Sequence, residues 1–233
     1  IAGNPTAFFP QVISFENYQI VFEQMGFGTN VLNSILIAGG TTLLAITISC
    51  LGAYGIVRFM PRLGNAITRV LITTYMFPAI LLAVPYSIIM GKLGLVNNRI
   101  GLIIVYMTFS VPYAVWLLVG FFKTVPLEIE EAARVDGASY LKIFTNIILP
   151  QIKGGLITLA LLCFIDNWNV VEQPLIYFDN EGMYPLSVTL TDVGSSDYGI
   201  IFACGVIFMI PALLIYLYGH RDIDSPFVGT DKG

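Results

Sequence analysis

Charge is what this sequence has least of. Asp, Glu, Lys and Arg make up 11% of the 233 residues, against about 25% in ordinary soluble domains. The few charges collect between long apolar runs, so water is not the chain's main solvent. A net charge of −4 over short loops leaves no basic patch, which excludes nucleic acid as a partner. Cysteine is scarce too: Cys50, Cys163 and Cys204 each lie inside an apolar run, without metal-ligand spacing, and argue for neither disulfide nor metal. The single histidine, His220, joins no Ser/His or metal-ligand set, so no catalytic residue, metal or cofactor is expected. A G-x-x-x-x-G-K-[ST] phosphate loop is also missing, Gly91-Lys92 lacking the rest, so the chain should not bind ATP by itself. The opening Ile-Ala-Gly-Asn-Pro-Thr has no basic n-region and no starting Met, and reads as the remainder of a longer protein rather than an export signal.

What is present is a set of apolar runs long enough to cross a bilayer. Five spans are expected, at about 31–57, 67–91, 100–122, 154–178 and 198–218, giving an all-α polytopic membrane protein. Basic residues set the orientation. Arg58, Arg62 and Arg69 follow the first span, Lys123, Arg134, Lys142 and Lys153 the third, and Arg221 and Lys232 the fifth. The loop from Asp179 to Asp197 carries only acidic charge, which places the visible N-terminus outside and the C-terminus in the cytoplasm. A sixth helix upstream would bring both ends inside. Pro78, Pro85, Pro112, Pro174 and Pro211 interrupt the spans and favour a packed bundle around a pathway.

One loop, 123–153, differs from the others. Pro126 suits a first helical position, Glu128, Glu130 and Glu131 suit the positive end of a helix dipole, and Gly137 suits the left-handed residue that ends a helix. A short helix over about 126–136 follows. A second begins near Ser139 with Tyr140, Ile143, Phe144, Ile147 and Ile148 on one stripe, and Pro150 is expected to stop it. The stripe should pack on the span ends and leave the first helix projecting. Glu131 beside the small Ala132 and Ala133 lets another surface approach closely and offers a carboxylate to pair. A helix lying on the membrane surface would prefer Lys and Arg on its polar face.

Glu131-Ala132-Ala133, Asp136-Gly137 and Ile147-x-Leu149-Pro150 resemble the EAA loop of the permease subunits of binding-protein-dependent ABC importers. Asn17-Tyr18, Asn33-Ser34, Leu93-Gly94-Leu95 with Asn97, and Trp168-Asn169 with Pro174-Leu175 extend the resemblance to the sugar-transport, maltose-permease type. The resemblance implies a type I importer permease fold, with 1–233 as one transmembrane permease domain in a prokaryotic inner membrane. It also implies two cytoplasmic ATP-binding subunits, a second, different permease subunit, and an extracytoplasmic solute-binding protein. Glu131, Ala132, Ala133, Asp136, Gly137, Leu149 and Pro150 would then be the ATPase-docking residues, with Glu131 carrying a salt bridge and Gly137 the turn. The tail from 219 to 233, ending Gly229-Thr230-Asp231-Lys232-Gly233, resembles family tails that reach toward the ATPase.

The fourth span holds Asp166, Asn167, Trp168, Asn169, Glu172 and Gln173 among apolar residues. Intramembrane polar residues face a cavity or a partner. Asp166, Asn169 and Gln173 are expected on one helical face. Two readings stand: a sugar-contacting pathway, with Trp168 offering a ring face, or a network fastening helices together. Here the chain departs from the family, with Val170 where an acidic residue is common and Asp166 where a small one is. A permease for another solute, an ion-coupled secondary transporter using Asp166 and Glu172, and an intramembrane enzyme are the competing functions.

Overall fold

The computed structural model describes residues 14–193 and 198–223, all of whose regular structure is helical. Helix α1 (Glu16–Glu23) precedes α2 (Phe27–Phe59), a rod of 33 residues and hence about 50 Å long. Then come α3 (Gly64–Tyr75), α4 (Ala79–Lys92) and α5 (Arg99–Thr124). The loop helices are α6 (Leu127–Val135) and α7 (Tyr140–Ile143), the latter running through a π-helical turn (Phe144–Ile148) into α8 (Leu149–Gln151). The chain continues as α9 (Lys153–Trp168), α10 (Glu172–Tyr177), α11 (Leu186–Asp192) and α12 (Tyr198–Ile223). Helices α2, α5 and α12 are each long and apolar enough to cross a membrane alone, and two bent pairs bring the number of candidate spans to 5. The N-terminal segment, Asp197 and the tail motif at 229–233 lie outside the described residues.

Two expected spans are broken. The run 67–91 is α3 and α4 meeting at 92°, because Pro78 has no N–H to donate and disfavours helical geometry at Phe77. The run 154–178 ends its helix at Trp168. Had the helix continued, Pro174 would have struck the carbonyl of Val170, four residues back. Instead that carbonyl accepts from Ser187 Oγ at 2.6 Å, and Pro174 sits in the first turn of α10, where no N–H is needed. Pro150 departs from expectation in the opposite sense: helical structure runs through it to Gln151. The π turn just before it, with Leu149 N–H donating to Phe144 O, widens the ladder and makes room for the ring.

The bundle is centred on α2 and α5, with α9 against both. Ala53, Ala114, Leu118 and Phe122 pack there with Ile143, Phe144 and Ile148 of the loop, so the expected stripe packs on the span ends except at Tyr140, which is exposed. At the opposite end of α2, buried amides grip the 180–189 segment. Asn33 Nδ2 donates to Gly182 O (2.9 Å) and Tyr184 O (3.1 Å), and Asn33 Oδ1 accepts from Arg99 Nε (3.0 Å). Asn30 Nδ2 donates to Tyr184 O and Thr189 Oγ1, and Ser34 Oγ accepts from Leu186 N. Asn33→Ala should therefore cost about 1–3 kcal/mol by stranding buried partners. In nanodiscs this is a fall in Tm of about 2–4 °C per kcal/mol. An unchanged Tm would show that the clamp adds nothing.

Candidate functional site

Helix α6 stands off the bundle because its sequence gives it only one buried contact row. Glu128, Glu131, Ala132, Arg134 and Val135 are exposed, whereas Ala133 packs on the core beneath. The helix ends in a Schellman motif: Gly137 N donates to Arg134 O (3.0 Å) and Ala138 N to Ala133 O (3.0 Å). Gly137 has φ +81, the left-handed conformation expected of it. Asp136 caps the helix and is exposed, Leu149 packs on the core, and Pro150 is exposed. The predicted docking residues thus split: Glu131, Ala132, Asp136 and Gly137 face outward, while Ala133 and Leu149 anchor the loop.

Three neighbouring glutamates have different surroundings, which the sequence does not reveal. Glu130, not Glu131, is buried, at 5% exposure. Its carboxylate accepts from Arg58 Nε (2.5 Å) and from the Tyr54 hydroxyl (2.9 Å), while Arg58 Nη2 donates to Val125 O (2.9 Å). Tyr54 in turn packs on Phe122 and Phe144, with ring centroids 5.7 and 5.0 Å away. The result is a charged latch between the end of α2 and α6. Beside the latch, the Arg134 guanidinium lies 4.7 Å over the Tyr140 ring.

The second feature is a cavity of about 280 Å³, just below the range of about 300–1,000 Å³ for small-molecule sites. Its walls come from both helix breaks, α3/α4 and α9/α10, closed by the middle of α5. Of the fourth-span candidates, Asp166, Asn167, Glu172 and Gln173 line it. Asp166, Asn169 and Gln173 do not share one helical face as expected, since α9 stops at Trp168 and Gln173 arrives on α10. Asn169 is exposed, donates to Ile165 O (2.6 Å) and is not part of the lining. Trp168 offers no ring face: it is 2% exposed, stacked on Phe164, with Nε1 donating to Phe208 O (3.2 Å).

Inside the cavity, Asn167 serves both earlier readings. It donates to Ser110 Oγ (3.1 Å) and Cys163 O (2.6 Å), fastening α9 to α5. Asp166 and Glu172 have no hydrogen bond or ion pair and remain exposed on this chain. A carboxylate against lipid costs about 2.5–3.5 kcal/mol on insertion scales, so both belong on a pathway or against another subunit. Tyr106 Oη and Gln173 Oε1 are buried and lack any partner, each a deficit of about 1–3 kcal/mol until something bonds to it. Tyr75 and Tyr113 add stacked rings 5.3 Å apart.

Known proteins match this arrangement. Residues 45–225 match the family model described as binding-protein-dependent transport system inner membrane component. The trehalose transport system permease protein SugB of Mycobacterium tuberculosis is 33% identical over 96% of this chain and 84% of its own. The diacetylchitobiose uptake system permease protein NgcG of Streptomyces coelicolor is 30% identical over 90% of this chain and 71% of its own. Among solved structures, a chain of a bacterial ABC transporter involved in import of the acidic polysaccharide alginate superposes with a TM-score of 0.78. That chain is 25% identical, over 94% of this chain and 84% of its own.

Proposed function

We infer the role of this chain from the family to which it belongs, the binding-protein-dependent transport system inner membrane components. It is a permease subunit of an ABC importer, and membership sets aside the ion-coupled secondary transporter. In our reading it is a single transmembrane permease domain of an inner membrane, with α6 on the cytoplasmic side, that forms half of a pathway for a sugar or oligosaccharide. Relatives named for trehalose and diacetylchitobiose support the solute class. A second permease subunit would complete the pathway, an extracytoplasmic binding protein would deliver solute, and two ATPase subunits would hydrolyse ATP.

The observation that carries the coupling role is the division of the 127–151 segment. Helix α6 is held at its root by Glu130 and Ala133 and turns at Gly137, yet offers Glu131 and Ala132 to a partner. Motion imposed on α6 by closing ATPase subunits would pass through the Arg58 latch into α2, and through Ile143 and Ile148 into α5. The test is reconstitution with both ATPase subunits and the binding protein. Wild-type uptake should require ATP and binding protein, and Glu131→Lys should lower it about tenfold or more by juxtaposing like charges at the docking cleft. Full uptake by Glu131→Lys would refute the docking assignment.

A further inference from the structure

We propose that the α3/α4–α9/α10 cavity is a charge filter that admits neutral, hydroxyl-rich solutes and turns away anionic ones; this deepens, and rests on, the saccharide-permease reading. The independent sign that the cavity takes a ligand is its pair of orphaned polar atoms. Tyr106 Oη can donate or accept and Gln173 Oε1 can only accept, both belong to residues at least 97% buried, and both line the cavity. A solute hydroxyl satisfies either one. So does a hydroxyl donor for the two free carboxylates, Asp166 and Glu172.

The sign of the field follows from what stands on the wall. Two acidic residues and no Lys or Arg line the cavity. The Arg58–Glu130 ion pair lies at the end of α2, and neither of its residues lines the cavity. In a cleft with low-dielectric walls, unneutralised carboxylates focus their field on the space between them. A uronate or sulfonate would meet like charge at each step and find no cation to replace its hydration shell. A neutral sugar meets acceptors for its hydroxyls and, in the exposed Tyr75, an aromatic ring for its C–H edges.

The test compares two probes that differ by one carboxylate, methyl glucoside and methyl glucuronide. Each is titrated onto the assembled permease–ATPase complex in nanodiscs without binding protein, and read by saturation-transfer NMR at low and high salt. Wild type should favour the glucoside by about tenfold or more, and Asp166→Asn/Glu172→Gln should bring the two within about threefold, chiefly by admitting the glucuronide. A second variant, Gln173→Leu, should weaken glucoside binding while leaving the exclusion of glucuronide in place. Equal binding of both probes to wild type, binding of neither, or an unchanged preference in the double variant would overturn the filter. ATP- and binding-protein-dependent uptake of saccharide, followed separately, reports on the permease reading itself: its loss defeats that reading, whereas intact uptake without charge preference defeats only the filter.

Discussion

Glu130→Ala is expected to abolish transport while the chain still inserts in the membrane. The substitution leaves Arg58 with 11% of its side chain exposed and no counter-charge, and strips the Tyr54 hydroxyl of its acceptor. Breaking a buried pair by removing one partner costs about 3–5 kcal/mol. The cost falls where α6 is rooted to α2, so local detachment of α6 is the cheapest escape for the protein. The readouts are uptake, expected to fall to background, and ATPase activity, expected to lose its dependence on binding protein. Glu130→Gln keeps the volume and an acceptor for Tyr54, and should lie between alanine and wild type.

A double variant separates the latch from mere damage. Replacing both charges, Glu130→Ala with Arg58→Met, removes the stranded cation, and buried pairs exchanged for apolar groups are often neutral in stability. Assembly should therefore recover. Uptake should recover less, because an apolar contact does not fix the rotation of α6 as a two-oxygen, two-donor contact does. If Glu130→Ala transports normally, α6 is held by Ala133 and the loop stripe alone, and the latch has no mechanical role.

Much of this molecule is legible in its sequence, for reasons that differ along the chain. The spans are legible because a bilayer demands long apolar runs, and Gly137 because a Schellman turn demands a residue that tolerates positive φ. Less legible is where a proline merely bends a span and where it breaks one. Pro112 and Pro211 stay inside helices α5 and α12, yet Pro78 and Pro174 accompany a 92° bend and a helix end. The difference lies in who satisfies the freed carbonyl, and at Val170 that is Ser187, 17 residues away, which no local pattern announces. A cavity beside these polar residues is legible, but its shape is not, because they stand on two helices that meet at a break rather than on the one continuous helix the apolar run suggests. Glu130 and Glu131 are equally acidic neighbours, and only the position of Arg58 on α2 distinguishes the buried anchor from the exposed carboxylate beside it.

Gly101→Ala should be nearly as damaging, although helix propensity alone predicts the reverse. Gly101 lies in the first turn of α5, where alanine would ordinarily gain about 1 kcal/mol over glycine. A β-carbon at this position, however, would overlap the backbone carbonyl oxygen of Leu95 and sit 3.0 Å from the Leu95 β-carbon. Backbone cannot rotate out of the way, so the 93–98 turn must move. That turn is already fixed by left-handed Gly94 (φ 67) and Asn97 (φ 56). Asn97 also holds α10, with its N–H donating to Tyr177 O (3.0 Å) and its side chain paired both ways with Asp179. Displacing it shifts Glu172 and Gln173, so the loss reaches the cavity as well as the fold. Overpacking of this kind costs about 1–3 kcal/mol. Gly91→Ala is the matched control, since its β-carbon meets nothing within 4 Å and it lies inside α4. In nanodiscs Gly91→Ala should hold or raise the Tm, while Gly101→Ala lowers it by several degrees, about 2–4 °C per kcal/mol, with loss of uptake. A rise in Tm for both would mean that propensity governs and that the Leu95 turn yields freely.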